Sequence, residues 1–174
     1  DYSRYIFFYI NYLIEQKQFT KAKEIADQID ILSSSLLIAQ TKNWIDNNEF
    51  NKFHQIFSCN NETDILSEFF FLISNIYSSE DEIGKSNFYL KISNFLNPKF
   101  HFNLSLFVEN YYNNKNYRKT EKVLDDFDES DDLYYWYKIK IKTKIISQES
   151  GQEQAYNFIN SKFKKIKKPS IKIL

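Results

Sequence analysis

Apolar residues recur three and four places apart along this chain, and that spacing predicts helices. Phe70, Ile73, Ser74 and Tyr77 fall on one helical face, and Leu104, Phe107, Val108 and Tyr111 repeat the spacing 34 residues later. Leu90, Ser93 and Leu96 form the stripe of the helix between them. The repeats lack the alternating runs and hairpin turns that strands need. Lys138 to Ile145 does alternate like a strand, but Trp136, Ile139, Thr143 and Ile146 still share a helical face there. The expected structure is ten helices in five pairs. First helices run near 3–16, 34–47, 65–79, 101–114 and 131–148, and second helices near 19–30, 50–58, 83–96, 117–127 and 152–166.

A short motif joins the two helices of each pair. Lys17-Gln18-Phe19-Thr20-Lys21-Ala22 is echoed by the six residues from Asn48, from Asp81 and from Lys115. Each block puts a bulky apolar residue three places before a residue that is usually small. The starts are 31, 33 and 34 residues apart. A period in that range marks a helical solenoid with one helix pair per repeat. The units fall near 3–33, 34–66, 67–100, 101–130 and 131–168, within one domain. Only two glycines and two prolines occur, and Gly84, Gly151, Pro98 and Pro169 are expected where helices turn. Ser67 is expected in the first turn of the third unit, and Asp131 and Asp132 at a helix N-terminus.

These residues resemble the tetratricopeptide family, whose pattern is Trp-x2-Leu-Gly-x2-Tyr, then Ala-x3-Phe, then Pro. Residues 67–98 match best, with Phe70, Ile73, Ser74, Tyr77, Ser86, Leu90 and Pro98 at the seven places. Residues 101–130, 3–30 and 34–58 follow in that order. The resemblance implies an all-α, right-handed superhelix that binds a peptide or helix of a partner protein. The binding face would be concave and lined by the first helix of each pair. It also explains Ser74, whose small side chain lets two helices approach, and it places Tyr77 toward the next unit. Tyr111, read as core, is expected to cost roughly 3–5 kcal/mol when cut to alanine. Phe53 stands where the family has alanine, so the second pair should be splayed or shifted. The segment Leu133-Tyr134-Tyr135-Trp136-Tyr137 is similar to an opening in long bacterial members, many of them exported or membrane-associated.

Equivalent places in the registered repeats form ladders across the concave face. One holds Asn11, Lys42, Asn75 and Glu109. A second holds Phe7, Ile38, Phe71 and Ser105, and a third Arg4, Ser35, Glu68 and Phe102. Polar ladder residues could pair with a partner's backbone, or they could satisfy one another between repeats. The family's grip on a C-terminal carboxylate is excluded. Asn11 fits it, but Phe7, Ala39, Glu68 and Leu72 replace the remaining Lys, Asn, Lys and Arg.

Composition narrows the chemistry. The 174 residues are 43% hydrophobic, enough for a sizeable core. The 23 basic and 23 acidic residues cancel, so no overall field recruits nucleic acid. The 17 Phe and 13 Tyr suggest stacking surfaces, yet the accompanying Ile, Asn and Lys share A/T-rich codons and point to genome bias. No apolar run reaches membrane-span length. Cys59, His54 and His101 offer no metal-ligand spacing and no nucleophile–base pair. The acidic run Asp125 to Asp132 lacks the alternating ligands and central glycine of a calcium loop. Lys162, Lys164, Lys165, Lys167 and Lys168 complement the negative end of a last helix. No cofactor motif is present.

The expectation is therefore a non-catalytic protein-binding scaffold, with an RNA-binding helical-repeat protein as the alternative. The chain reads as a piece of a longer array whose end repeats could self-associate through exposed apolar faces.

Overall fold

The computed structural model describes residues 3–30, 35–127 and 132–164, and among these it contains ten α-helices and no strand. They are α1 (Ser3–Glu15), α2 (Phe19–Asp27), α3 (Leu36–Asp46), α4 (Asn51–Ile56), α5 (Glu62–Ser79), α6 (Ile83–Leu96), α7 (Leu104–Asn113), α8 (Tyr117–Leu124), α9 (Asp132–Ser150) and α10 (Gln152–Phe163). A short 3-10 turn, His101–Asn103, leads into α7. Helix α6 starts and stops where the spacing predicts, and the other boundaries lie within a turn of theirs. The strand-like stretch from Lys138 lies inside α9.

The recurring motif proves to be a backbone device. Lys17, Asn48, Asp81 and Lys115 all adopt left-handed backbone, with φ of 58°, 56°, 59° and 56°. At each site the N–H of that residue donates to the carbonyl three residues back. The next N–H donates to the carbonyl five back, as in Lys17 to Ile14 at 2.9 Å and Gln18 to Leu13 at 2.8 Å. This double closure satisfies carbonyls that a helix end would otherwise leave bare. The fifth junction departs from the pattern. There Gly151, with φ of 97°, separates α9 from α10.

Several local expectations are corrected. Gly84 lies in the first turn of α6, not in the turn before it. Ser67 is buried in the middle of α5, whose cap is Asn61 accepting from the Thr63 N–H at 2.9 Å. Tyr77, expected to face the next unit, has an aromatic partner within its own. Its ring stacks on Tyr89 of α6, in its own pair, with centroids 5.5 Å apart. Asp131, Pro169, Lys165, Lys167 and Lys168 lie outside the described residues.

Helices pack within the pairs α1–α2, α5–α6, α7–α8 and α9–α10. Between pairs, α3 rests on α1 and α2, α6 on α7, and α8 on α9. The second unit behaves differently. Its α4 packs against α1, and α3 reaches α9, where the Tyr134 hydroxyl and the Gln40 carbonyl oxygen are 3.0 Å apart. Phe53 explains part of this. Its ring is fully buried, stacked on Phe7 at 6.0 Å and edge-on to Trp44 at 5.2 Å. A side chain that large fills the space where α3 and α4 would otherwise close on each other.

Many of the buried apolar side chains among the described residues gather into two clusters. One gathers α1 to α4 and Phe100, and the other gathers α5 to α9 around Leu90, Val108 and Leu124. The seam between the clusters carries polar and charged groups, and the candidate site lies there.

Candidate binding cleft

Two polar layers hold α5, α6 and α7 together. In one, the Ser74 hydroxyl donates to the Ser86 carbonyl at 2.8 Å, and Asn110 Nδ2 donates to Ser86 Oγ at 2.8 Å. Seven residues along α5 and α6 the same arrangement returns, with Asn103 of the 3-10 turn before α7 in the place of Asn110. Ser67 donates to the Ser93 carbonyl at 2.8 Å, and Asn103 Nδ2 to Ser93 Oγ at 3.0 Å. Seven residues are nearly two helical turns, so both layers sit on one face. Buried hydroxyls are tolerated because each has a partner.

Arg4 ties α1 to this frame. Its Nε donates to Glu68 Oε1 at 2.8 Å, one terminal nitrogen bonds the other Glu68 oxygen, and that same nitrogen reaches Asn103 Oδ1 at 3.1 Å. The guanidinium lies 3.7 Å from the Phe71 ring centroid, with Phe100 and Phe102 each at 5.3 Å. Side-chain exposure is 12% for Arg4 and 13% for Glu68. Burial pushes the Glu68 carboxyl above its ordinary range, and Arg4 only partly opposes it. The remaining Arg4 nitrogen, Nη1, is buried without a hydrogen-bond partner.

Above this pair opens a pocket of about 450 Å³ between α1, α5 and α7. Tyr5 and Phe8 line it from α1, Phe71, Leu72 and Asn75 from α5, and Leu106 and Glu109 from α7. Phe102 and Ser105 complete the wall beside Arg4 and Glu68. Glu109 stands at an exposed edge. Surrounding protein still raises its carboxyl pKa, while Lys144 of α9 pulls it down.

The ladder residues thus divide. Arg4, Glu68, Phe71, Asn75 and Glu109 come together at this cleft. Phe7, Asn11 and Ile38 do not, because all three are core. Asn11 donates to the Phe57 carbonyl at 3.1 Å. Lys42 is half-buried and held by Asp46 at 3.1 Å and Asp27 at 3.6 Å. Phe102 and Ser105 belong to the cleft, while Ser35 instead caps α3. Tyr5, Phe8, Leu72 and Leu106 were missed by the ladders. The exposed apolar positions Tyr5 and Leu72 are the signal that could have found them.

Other constellations stay apart. Glu15 accepts from the Ser58 hydroxyl at 2.9 Å, the Cys59 N–H at 3.1 Å and Asn60 Nδ2 at 3.2 Å, so it fastens the loop before α5. Asp125, at the head of the acidic run, pairs with Lys138 at 3.0 Å and Lys142 at 3.5 Å. Among the described residues, no three His, Cys, Asp or Glu side chains are grouped to hold a metal ion. No described helix is long and apolar enough to cross a membrane.

Comparison of the chain with protein-family models, with curated proteins and with solved structures finds no match in any of the three.

Proposed function

We propose that this chain is a non-catalytic, tetratricopeptide-like interaction module that binds a peptide or helix of a partner protein in the cleft between α1, α5 and α7. One observation carries the reading. Arg4, Glu68, Phe71, Asn75 and Glu109, drawn from three of the ladder rows, line one pocket beside the exposed side chains of Tyr5 and Leu72. A concave, mostly apolar surface with a few polar groups at its edge suits a protein ligand. Asn75 offers both a donor and acceptors to a bound backbone. The RNA alternative draws no support from the cleft. Its one lining cation, Arg4, is already committed to Glu68.

A peptide library displayed on phage and selected on the immobilised protein tests the proposal. Enriched peptides should lose affinity by about tenfold or more on Leu72→Ser, with the circular dichroism spectrum unchanged. Peptides indifferent to Leu72→Ser and Asn75→Arg, or a selection that enriches nothing beyond an unrelated helical protein, would remove the cleft as the binding site.

A further inference from the structure

The three helices that wall the cleft have a biased composition. Together α1, α5 and α7 carry one basic residue, Arg4, against five acidic ones: Glu15, Glu62, Asp64, Glu68 and Glu109. The chain as a whole is neutral, so this is a local excess. Three of the acids are engaged. Glu68 holds Arg4, Glu15 holds the loop at residues 58–60, and Asp64 accepts the Ser58 N–H at 2.9 Å. Glu62, at the start of α5, and Glu109, at the cleft edge, are both exposed.

The same helices present apolar stripes to solvent. On α5, Ile65, Phe69, Leu72 and Ile76 are all exposed by 41% or more, at spacings of four, three and four residues. On α1, Tyr5, Tyr9 and Tyr12 follow the same rule. Leu72 and Tyr5 both line the pocket, so the two stripes meet there. Helices that dock in a groove are read through anchors at this spacing. Tyrosine faces also attract cations, and Arg4 on Phe71 shows the same attraction already at work in the floor of the cleft.

We infer that the occupant of the cleft is a basic amphipathic segment, seating apolar side chains against Tyr5 and Leu72 and a lysine or arginine against Glu109. This inference rests on the reading of the cleft as a protein-binding site and adds the chemistry of the partner. An acidic segment would be repelled by Glu109, whose one opposing cation, Lys144 of α9, already acts on it. A purely apolar one would add no second counter-charge to Glu109, whose partly desolvated carboxylate Lys144 of α9 only partly offsets.

Fluorescence anisotropy with three labelled synthetic peptides tests it. One is an amphipathic helix of leucine and lysine, one its leucine and glutamate twin, and one a serine and lysine peptide of equal charge. The leucine–lysine peptide should bind, weaken by about tenfold or more on Glu109→Lys and on Leu72→Ser, and weaken measurably on the milder Glu109→Gln. Glu153→Lys, an exposed change on α10, should leave its affinity within about twofold. Equal binding of that peptide to every variant would mean loose surface attraction and overturn the inference. Equal binding of the serine–lysine peptide would overturn its apolar part. Tighter binding of the glutamate twin, still lost on Leu72→Ser, would overturn the charge assignment while leaving the cleft a peptide site. Failure of all three peptides, beside phage-selected peptides that do bind, would separate the two readings in the same way.

Discussion

The hydroxyl oxygens of Ser74 on α5 and Ser86 on α6 lie 3.0 Å apart, both fully buried. The Ser74 hydroxyl also touches the Ser86 main-chain carbonyl at 2.8 Å, so a larger side chain at residue 74 would run into the α6 backbone. Ser74→Leu should destabilise the fold by roughly 1–3 kcal/mol or more through overpacking. Ser74→Ala removes the bond to the Ser86 carbonyl and the contact with the Ser86 hydroxyl, and should cost about 1–2 kcal/mol. Urea unfolding separates the two, and a Ser74→Leu protein as stable as the parent would contradict the close crossing.

The left-handed residues make an opposite forecast. A side chain in this conformation costs roughly 1–2 kcal/mol, and glycine's extra freedom in the unfolded chain returns about half of that. Lys17→Gly and Lys115→Gly should therefore stabilise the protein by about 0.5–1 kcal/mol each. Asn48→Gly should gain less, because asparagine tolerates this conformation better. Lys115→Ala should gain nothing. Thermal melts that show destabilisation by Lys17→Gly would refute the turn geometry.

Arg4 and Glu68 predict an asymmetric pair of effects. Between its ordinary pKa and its raised folded value, Glu68 holds a proton in the folded chain that the unfolded chain has lost. Stability from this group therefore falls as pH rises through that interval and returns on acidification. Glu68→Gln should thus compare best with the parent at neutral pH, and the comparison should worsen for it in the carboxylate range. Arg4→Met leaves a buried carboxylate unpaired and should cost about 3–5 kcal/mol at neutral pH. That cost should shrink as Glu68 takes up a proton. Asp125 runs the other way. Its hydrogen bond to Lys138 lowers its pKa, so its contribution is present above its unfolded value and lost as pH falls. Urea titrations at neutral and mildly acidic pH check all three, and an Arg4→Met cost that does not depend on pH would contradict the pairing.

Phe53 and Tyr111 exchange rank relative to the pattern of the chain. Tyr111 was expected in the core, yet it is only half-buried, stacked on Phe107 at 6.3 Å. Phe53, an oversized residue at a small-residue place, is fully buried among aromatic rings. Phe53→Ala should cost roughly 3–5 kcal/mol, and Tyr111→Ala about half as much. Equal losses in denaturant melts would show that burial does not separate the two sites.

Local features were legible without coordinates. The turns at residues 17, 48, 81 and 115 recur because each needs only a bulky anchor, a polar left-handed residue and a small residue within one short window. The small pair Ser74 and Ser86 was legible too, since a tight turn brings its two helices together. The ladders were less informative. They placed Phe7, Asn11 and Ile38 on a binding face, whereas Phe100 and Phe57 cover that side of α1 and Ile38 of α3 is buried in the core.

By itself the sequence determined the helices, the turns between them and the pairing of all but α3 with α4, because those depend on hydrogen bonds and contacts within a few residues. Only the tertiary structure decided how the pairs meet. It set Arg4 against Glu68, 64 residues away, and Tyr134 against Gln40, 94 residues away. Such contacts follow from the angles between pairs, which depend on the summed bulk of side chains like Phe53 and Phe100. A repeating pattern treats every unit as alike, and packing does not.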